Sequence, residues 1–410
     1  MKIIESMTNI SKFLNAPLNM AAALSGSDVK SIYIGPRPFK YIYSPDIAFK
    51  ILTSHAHKFR QNKNIFDRIK PVTGNKGLVQ LQGEESTRMR KLIIPSLLSG
   101  DAMANVSGIV LKNTRELIDE LSRHHTEKTF EVDISLLMTK LILRSAFEMF
   151  LGVDLNEIDD QIVQDYLDLN SLCGDRMRSI ATVPLIIPVK RNRKINKLSQ
   201  GIRDEVFRII NIQGTSPLLK VLDSDENLID HCLTFLFAGH ETMASSLSFT
   251  FLKLANFQNS QDLMRVGDKK IINAFYNEAL RIYPPAYMLA RECLENTIIN
   301  GNSFKKNDQI ILPLTELHRC PQNFPEPDIF RPKRFLTSSH HKGSFLPFGV
   351  GAKSCAGTGL AYLEANIVLS EICKHFRLER DESDIKTNAY ITLHPEAGQT
   401  IKFTKRKEHE

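Results

Sequence analysis

The stretch from about Asp225 to Asn256, which contains FLFAGHETMASS, is apolar on nearly every side when read as a helix. Such a helix has no face to offer water, so it has to run through the core of a largely helical body. Polar residues in its middle then need a reason. Ala238 and Gly239 leave room where a bulky side chain would block a ligand, and the glycine weakens the helix locally so that a carbonyl can turn away from its usual partner. Glu241 and Thr242 follow directly. Taken alone, Thr242 is satisfied by a bond back to a carbonyl three or four residues earlier, and Glu241 by a structural partner.

A second feature narrows the chemistry. The run FLPFGVGAKSCAGTGLA, Phe345 to Ala361, places Cys355 in a turn that holds four glycines and opens a helix. A thiolate presented in this way is what a haem iron needs as an axial ligand. Glycines at 349, 351 and 357 allow backbone conformations closed to other residues and a close approach to a flat macrocycle. Amides at the coming helix N-terminus favour the sulfur's negative charge, and Lys353 is within reach of a haem carboxylate. The plain alternative is a buried cysteine in a glycine-rich turn.

The pattern Phe348, Gly351, Lys353, Cys355 and Gly357 resembles the haem-binding signature of the cytochrome P-450 family, and three further motifs stand in that family's order. Ala238-Gly239-His240-Glu241-Thr242 resembles its oxygen-activation segment, in which the acid and the alcohol relay protons; Met243 stands where a second hydroxyl residue is frequent. Glu278 and Arg281, followed by Tyr283-Pro284-Pro285, resemble its buried Glu-x-x-Arg motif, whose partner is Arg334 in Pro332-Lys333-Arg334-Phe335. That triad is structural. The resemblance further implies haem b (iron protoporphyrin IX) held by Cys355, with Phe348, Gly349, Ala238 and Gly239 against it and Arg90, Arg291 and Lys353 toward its propionates. Lys353 replaces the more usual Arg or His, and Ser86 replaces an aromatic or His partner four residues before Arg90, a departure that implies one fewer propionate contact. Phe235, Leu236, Tyr287 and Met288 are the expected substrate-pocket residues, each with core packing as the alternative.

Composition bounds the rest. Across 410 residues, 42% hydrophobic and 24% charged residues describe an ordinary globular chain with a sizeable core. Six scattered cysteines with no CxxC pair suggest neither a disulfide framework nor a zinc site, and a reducing compartment fits them best. No apolar run approaches the roughly 20 residues that span a bilayer, and the first 28 residues, an N-terminal segment, show no transmembrane pattern, so a cytoplasmic protein is expected. A net charge of +7 without Trp, and without aromatics among the basic residues, argues against a nucleic-acid partner. An acidic ferredoxin or flavodoxin, docking near Arg88, Lys91 and Lys342, is the better use of that charge. Ala181 to Lys197, ATVPLIIPVKRNRKINK, reads as a buried loop before a solvated helix, or as an apolar patch beside positive charge that makes a weak peripheral membrane contact.

The fold class expected is mainly α with a minor β-sheet region, a cytochrome P-450 fold in one domain over 1–410. A hairpin is expected over Val29 to Tyr43, turned at Gly35-Pro36, then a helix from Ser44-Pro45-Asp46 through Leu52. Helices should start near Glu84, Asp101, Asp133, Glu157, Lys194, Asp225, Lys269 and Gly357. A second hairpin is expected over Thr297 to Pro313, and extended chain from Tyr390 to Phe403. The activity implied is that of a haem-thiolate monooxygenase acting with O2 on an apolar small molecule. The rivals are a peroxide-dependent or rearranging haem-thiolate enzyme, against which the Glu241-Thr242 pair argues, and a haem-based gas or redox sensor, for which no output domain is left over.

Overall fold

The computed structural model describes residues 17–24, 26–34, 37–154, 158–179, 182–212, 215–223, 225–337, 341–381 and 384–407. Its longer helices are Pro45–Leu52 (α1), Gly83–Leu98 (α2), Gly100–His124 (α3), Ile134–Leu151 (α4), Asp160–Arg178 (α5), Lys190–Ile212 (α6), Leu228–Leu254 (α7), Lys269–Ile282 (α8) and Thr358–His375 (α9). Side chains fix where several of them begin. The Ser44 hydroxyl accepts from Ile47 N–H ahead of Pro45, and Asp133 and Asp268 each accept two N–H groups of the turns they open. Starts expected at residues 84, 101, 133, 269 and 357 fall within one residue of those seen, whereas the helix expected at 194 begins at Lys190 and that expected at 225 begins at Leu228. Gly35, Pro36 and Glu157 lie outside the described residues.

α7 occupies the centre. From Asp230 to Leu252 every residue is buried except Ala238, Gly239, Glu241 and Thr242, four of the five motif positions. α4 lies along it, and α8 packs against both α7 and α9. The helix runs without a break through Gly239. A Cβ at Gly239 would come within 2.7 Å of the Phe150 ring of α4. Glycine at this position serves close helix packing.

Strands form a smaller layer. Val29–Ile34 (β1), Arg37–Ile42 (β2), Phe59–Gln61 (β3), Met288–Cys293 (β5) and Gln309–Pro313 (β8) make one sheet in the order β1-β2-β8-β5-β3, while Thr129–Asp133 (β4), Phe376–Glu379 (β9) and Thr400–Lys405 (β12) make another in the order β4-β12-β9. Two short ribbons remain: Thr297–Ile299 (β6) with Asn302–Phe304 (β7), and Thr387–Ala389 (β10) with Leu393–Pro395 (β11). The span 297–313 is therefore not one hairpin. Asn300 and Gly301 adopt φ of 50° and 74° and turn β6 into β7, after which β8, buried at all five positions, leaves to pair in parallel with β2. The described part of 181–197 is also not a buried loop. Val183, Ile187 and Val189 are exposed and Ile186 is 90% exposed, immediately before the basic start of α6.

The predicted ionic triad is assembled in the core. Glu278 Oε2 accepts from Arg281 Nε at 2.8 Å, and Glu278 Oε1 accepts from Arg281 Nη2 at 2.9 Å, Arg334 Nε at 3.1 Å and the Arg331 amide at 2.7 Å. Glu278 and Arg281 have no exposed surface. Breaking a buried pair strands the remaining charge at a cost of about 3–5 kcal/mol. Glu278→Gln should lower the urea-unfolding free energy by about that amount; a loss below about 1 kcal/mol, the range of exposed pairs, would show that the arginines are satisfied by backbone carbonyls alone.

Candidate functional site

A cavity of about 300 Å³ lies between α7 and the loop that leads into α9. Ala238, Gly239 and Thr242 form part of one wall; Phe348, Gly349, Lys353 and Cys355 form another, with Arg90 and Arg291 at the margin. A larger cleft of about 1000 Å³ near Tyr43, Glu316 and Arg319 collects none of the predicted site residues.

The cysteine loop is held by its own backbone. Cys355 N–H donates to Phe348 O at 2.8 Å, Gly349 N–H to Leu346 O at 3.0 Å and Ser354 N–H to Gly351 O at 3.0 Å. Gly349 and Gly351 take φ of 64° and 78°, and a Cβ at Gly351 would meet Leu52 O at 2.3 Å, so both positions require glycine. Gly357 does not fit that expectation: its φ is −92°, and a Cβ there would make ordinary contact with Cys355 Sγ at 3.9 Å. Burial pushes the Cys355 thiol up, opposed by the Gly357 N–H, the Thr358 hydroxyl and the charge of Arg90. A bound metal ion displaces such a proton outright.

Three cations converge on the cavity without a carboxylate partner among the described residues. Arg90 Nη2 donates to Ser354 O, Arg291 Nη1 to Ala290 O at 2.9 Å, and Lys353 Nζ to Leu81 O and, at 2.7 Å, to Ser86 Oγ. Burial lowers Arg291 to about 10; burial together with Arg90 and Arg291 lowers Lys353 to about 8. Glu364, the one carboxyl in the wall among the described residues, is raised by burial to about 8 and is neutral at pH 7. Positive charge buried without a counter-ion fits a ligand that brings carboxylates of its own, as the two propionates of haem do. The two departures noted in the sequence meet here: Ser86 is the hydroxyl on which Lys353 rests.

Thr242 faces the cavity, and its Oγ1 donates to Ala238 O at 2.8 Å. Glu241, one residue earlier, does not line it. Its Oε1 accepts from His394 Nε2 at 3.0 Å, beside Thr392. Burial pushes this carboxyl up, but the His394 bond and charge, His240 and Thr392 outweigh it and leave the group below its ordinary range.

The family model described as Cytochrome P450 matches residues 20–214 and 220–402. The chain belongs to the cytochrome P450 family. This P450 is 26% identical over 408 residues to cyclooctat-9-en-7-ol 5-monooxygenase of Streptomyces melanosporofaciens, covering 88% of this chain and 85% of that enzyme. To cyclooctatin synthase of the same organism it is 24% identical over 401 residues, covering 88% and 85%. Its fold matches the crystal structure of CYP175A1 from Thermus thermophillus with a TM-score of 0.82 and 24% identity, over 98% of both chains. It is a monooxygenase of the haem-thiolate class, which uses O2 and a redox partner.

Of the four expected substrate-pocket residues, only Phe235 lines the cavity of this P450, tilted against Phe150 at 5.5 Å. Leu236 is fully buried elsewhere in the core, Tyr287 donates to Tyr390 O at 2.9 Å, and Met288 packs on the cluster that contains Tyr41 and Ile311. The correction follows from the chain path. After Pro285 the backbone enters β5, and alternation turns Leu289, not Met288, toward the cavity. Met243 of the oxygen-activation segment also lines it; Leu78, Val79, Leu280 and Ala286 complete much of the apolar wall and were not foreseen. Strand alternation would have flagged Leu289, whereas Leu78 and Val79 lie in a loop that carries no periodic signal.

His318 is the other functional residue missed in the sequence. Arg281 Nη1 donates to its carbonyl at 3.1 Å, and its Nε2 accepts the Leu346 N–H at 2.9 Å, so it links the ionic triad to the cysteine loop. Burial, reinforced by the charges of Arg281 and Arg319, drives its pKa from 6.5 to about 3. The neutral ring is the form that accepts from Leu346. Between about pH 3 and 6.5 the unfolded chain holds this proton and the folded chain does not, so His318 makes stability rise with pH and fall on acidification. In His318→Gln the dependence of unfolding free energy on pH over that window should shrink by up to about 1.4 kcal/mol per pH unit. Equal slopes in both proteins would mean that the ring is not held neutral.

Proposed function

We propose that this P450 takes electrons from an acidic ferredoxin- or flavodoxin-type protein and inserts one atom of O2 into an apolar small molecule, with haem b ligated by Cys355. The observation that carries this reading is the meeting of the Cys355 thiol, three cations without counter-ions and the Thr242 hydroxyl in one cavity. When bound, haem supplies the redox and dioxygen chemistry. The chain supplies orientation, charge and protons. Arg90, Arg291 and Lys353 hold the propionates, with Lys353 fixed by Leu81 O and Ser86. Phe235, Phe150, Leu289 and Met243 exclude water and favour an apolar substrate. Thr242 offers a proton at Oγ1, and Glu241 is the acid that refills it.

The partner docks on the cysteine side. Arg88 and Lys91 are exposed on α2, the helix whose Arg90 touches Ser354, and Lys342 is exposed in the loop that leads to Phe345. We assign the whole chain to one catalytic domain acting in the cytoplasm; among the described residues no single helix is long and apolar enough to cross a membrane. The exposed Val183, Ile186 and Ile187 beside the basic start of α6 would permit weak contact with a lipid surface. With a reduced acidic [2Fe–2S] ferredoxin, the haem reduction rate should fall with salt, and reversing Arg88, Lys91 and Lys342 to Glu should lower it roughly tenfold or more while peroxide-driven turnover persists. An unchanged rate and salt dependence would remove this docking face.

A further inference from the structure

Glu241 is turned from the cavity toward the C-terminal ribbon. Its Oε1 lies 3.0 Å from His394 Nε2 and 3.4 Å from Thr392 Oγ1, and these two atoms are 2.6 Å apart. One turn further along α7, Ser245 Oγ donates to Leu393 O. This bond ties α7 to the residue just before His394 and so limits the spacing between Glu241 and His394.

The titratable groups around this carboxylate come from three elements: His240 on α7, Tyr166 on α5 and His394 on β11. His240 Nδ1 is 3.8 Å from Glu241 Oε2, but burial pushes its ring down to about 4, and both its nitrogens lack a partner among the described residues. It is neutral at working pH. Burial raises the Tyr166 hydroxyl far above its ordinary range, so it stays protonated. Neither group stores an exchangeable proton for Glu241. His394 keeps 19% of its side chain exposed and touches the carboxylate directly.

We infer that His394 is the positioning residue that supplies protons to Glu241 from the strand side of α7. This rests on the reading of Glu241 as the acid behind Thr242. In the step, the His394 Nε2–H bond breaks and an O–H bond forms at Glu241 Oε1; the ring becomes neutral and regains its proton from water. No electrons are exchanged. Neutral Glu241 loses the charge-assisted bond that holds it to His394 and is released to turn toward Thr242.

The test uses the haem-loaded protein and three variants, His394→Gln, His394→Leu and Glu241→Gln, each checked for an unchanged carbon monoxide spectrum. Glutamine keeps a donor where Nε2 stands but cannot pass a proton on, so it separates transfer from mere attachment. Reoxidation of the reduced protein by O2 should slow roughly tenfold in both His394 variants, with Glu241→Gln at least as slow. An infrared titration of the Glu241 carboxyl in the reduced, carbon monoxide-bound protein should move upward in His394→Leu. Wild-type rates in His394→Gln, or an unmoved carboxyl titration, would overturn the inference while leaving Glu241 its role. A wild-type rate in Glu241→Gln would instead remove the reading of Glu241 as the acid, and the inference with it. If His394→Leu fails to fold, the glutamine variant alone decides.

Discussion

Because α7 is buried from Asp230 to Leu252 at every position except Ala238, Gly239, Glu241 and Thr242, the neighbouring helices have to close around it and can leave openings only at those four residues. The openings fall on two sides. Ala238, Gly239 and Thr242 face the cavity shared with Cys355, while Glu241 faces β11 and its histidine. Consecutive helix positions are about 100° apart, which is how one motif can line the cavity and also reach β11. Gly239 secures this geometry by letting Phe150 of α4 approach closely.

The second constraint is charge. Arg90, Arg291 and Lys353 crowd one margin of the cavity, and Glu364, the only acid in its wall among the described residues, is held neutral by burial. Leaving such cations without counter-ions costs free energy, and a ligand bearing carboxylates offsets it. The ionic triad works in the opposite sense. Glu278 is fully matched by Arg281, Arg334 and a backbone amide, and through His318 it stiffens the loop that presents Cys355.

Much of this was legible in the sequence because the residues concerned have few alternatives. A glycine at φ of 64° or 78°, a buried Glu with two arginines and a helix apolar on all sides each leave a local signature. What was not legible depends on contacts distant in sequence. Ser86 looks like a lost propionate partner until it is found beneath Lys353, 267 residues away. Glu241 was read as the acid of the relay, but the partner that holds it, His394, lies 153 residues on and left no local sign. Met288 and Leu289 differ only in strand phase, and β8 left its expected hairpin because all five of its side chains are buried beside β2 and β5.

The central claim is that Cys355 gives its thiolate to a haem iron. The most direct measurement is the carbon monoxide difference spectrum of the dithionite-reduced protein beside its Cys355→Ser variant. A strongly red-shifted Soret band in the wild type, lost in the variant, is the predicted result. The same spectrum in both proteins, or no haem in the wild type, would contradict the assignment and every role built around this cavity.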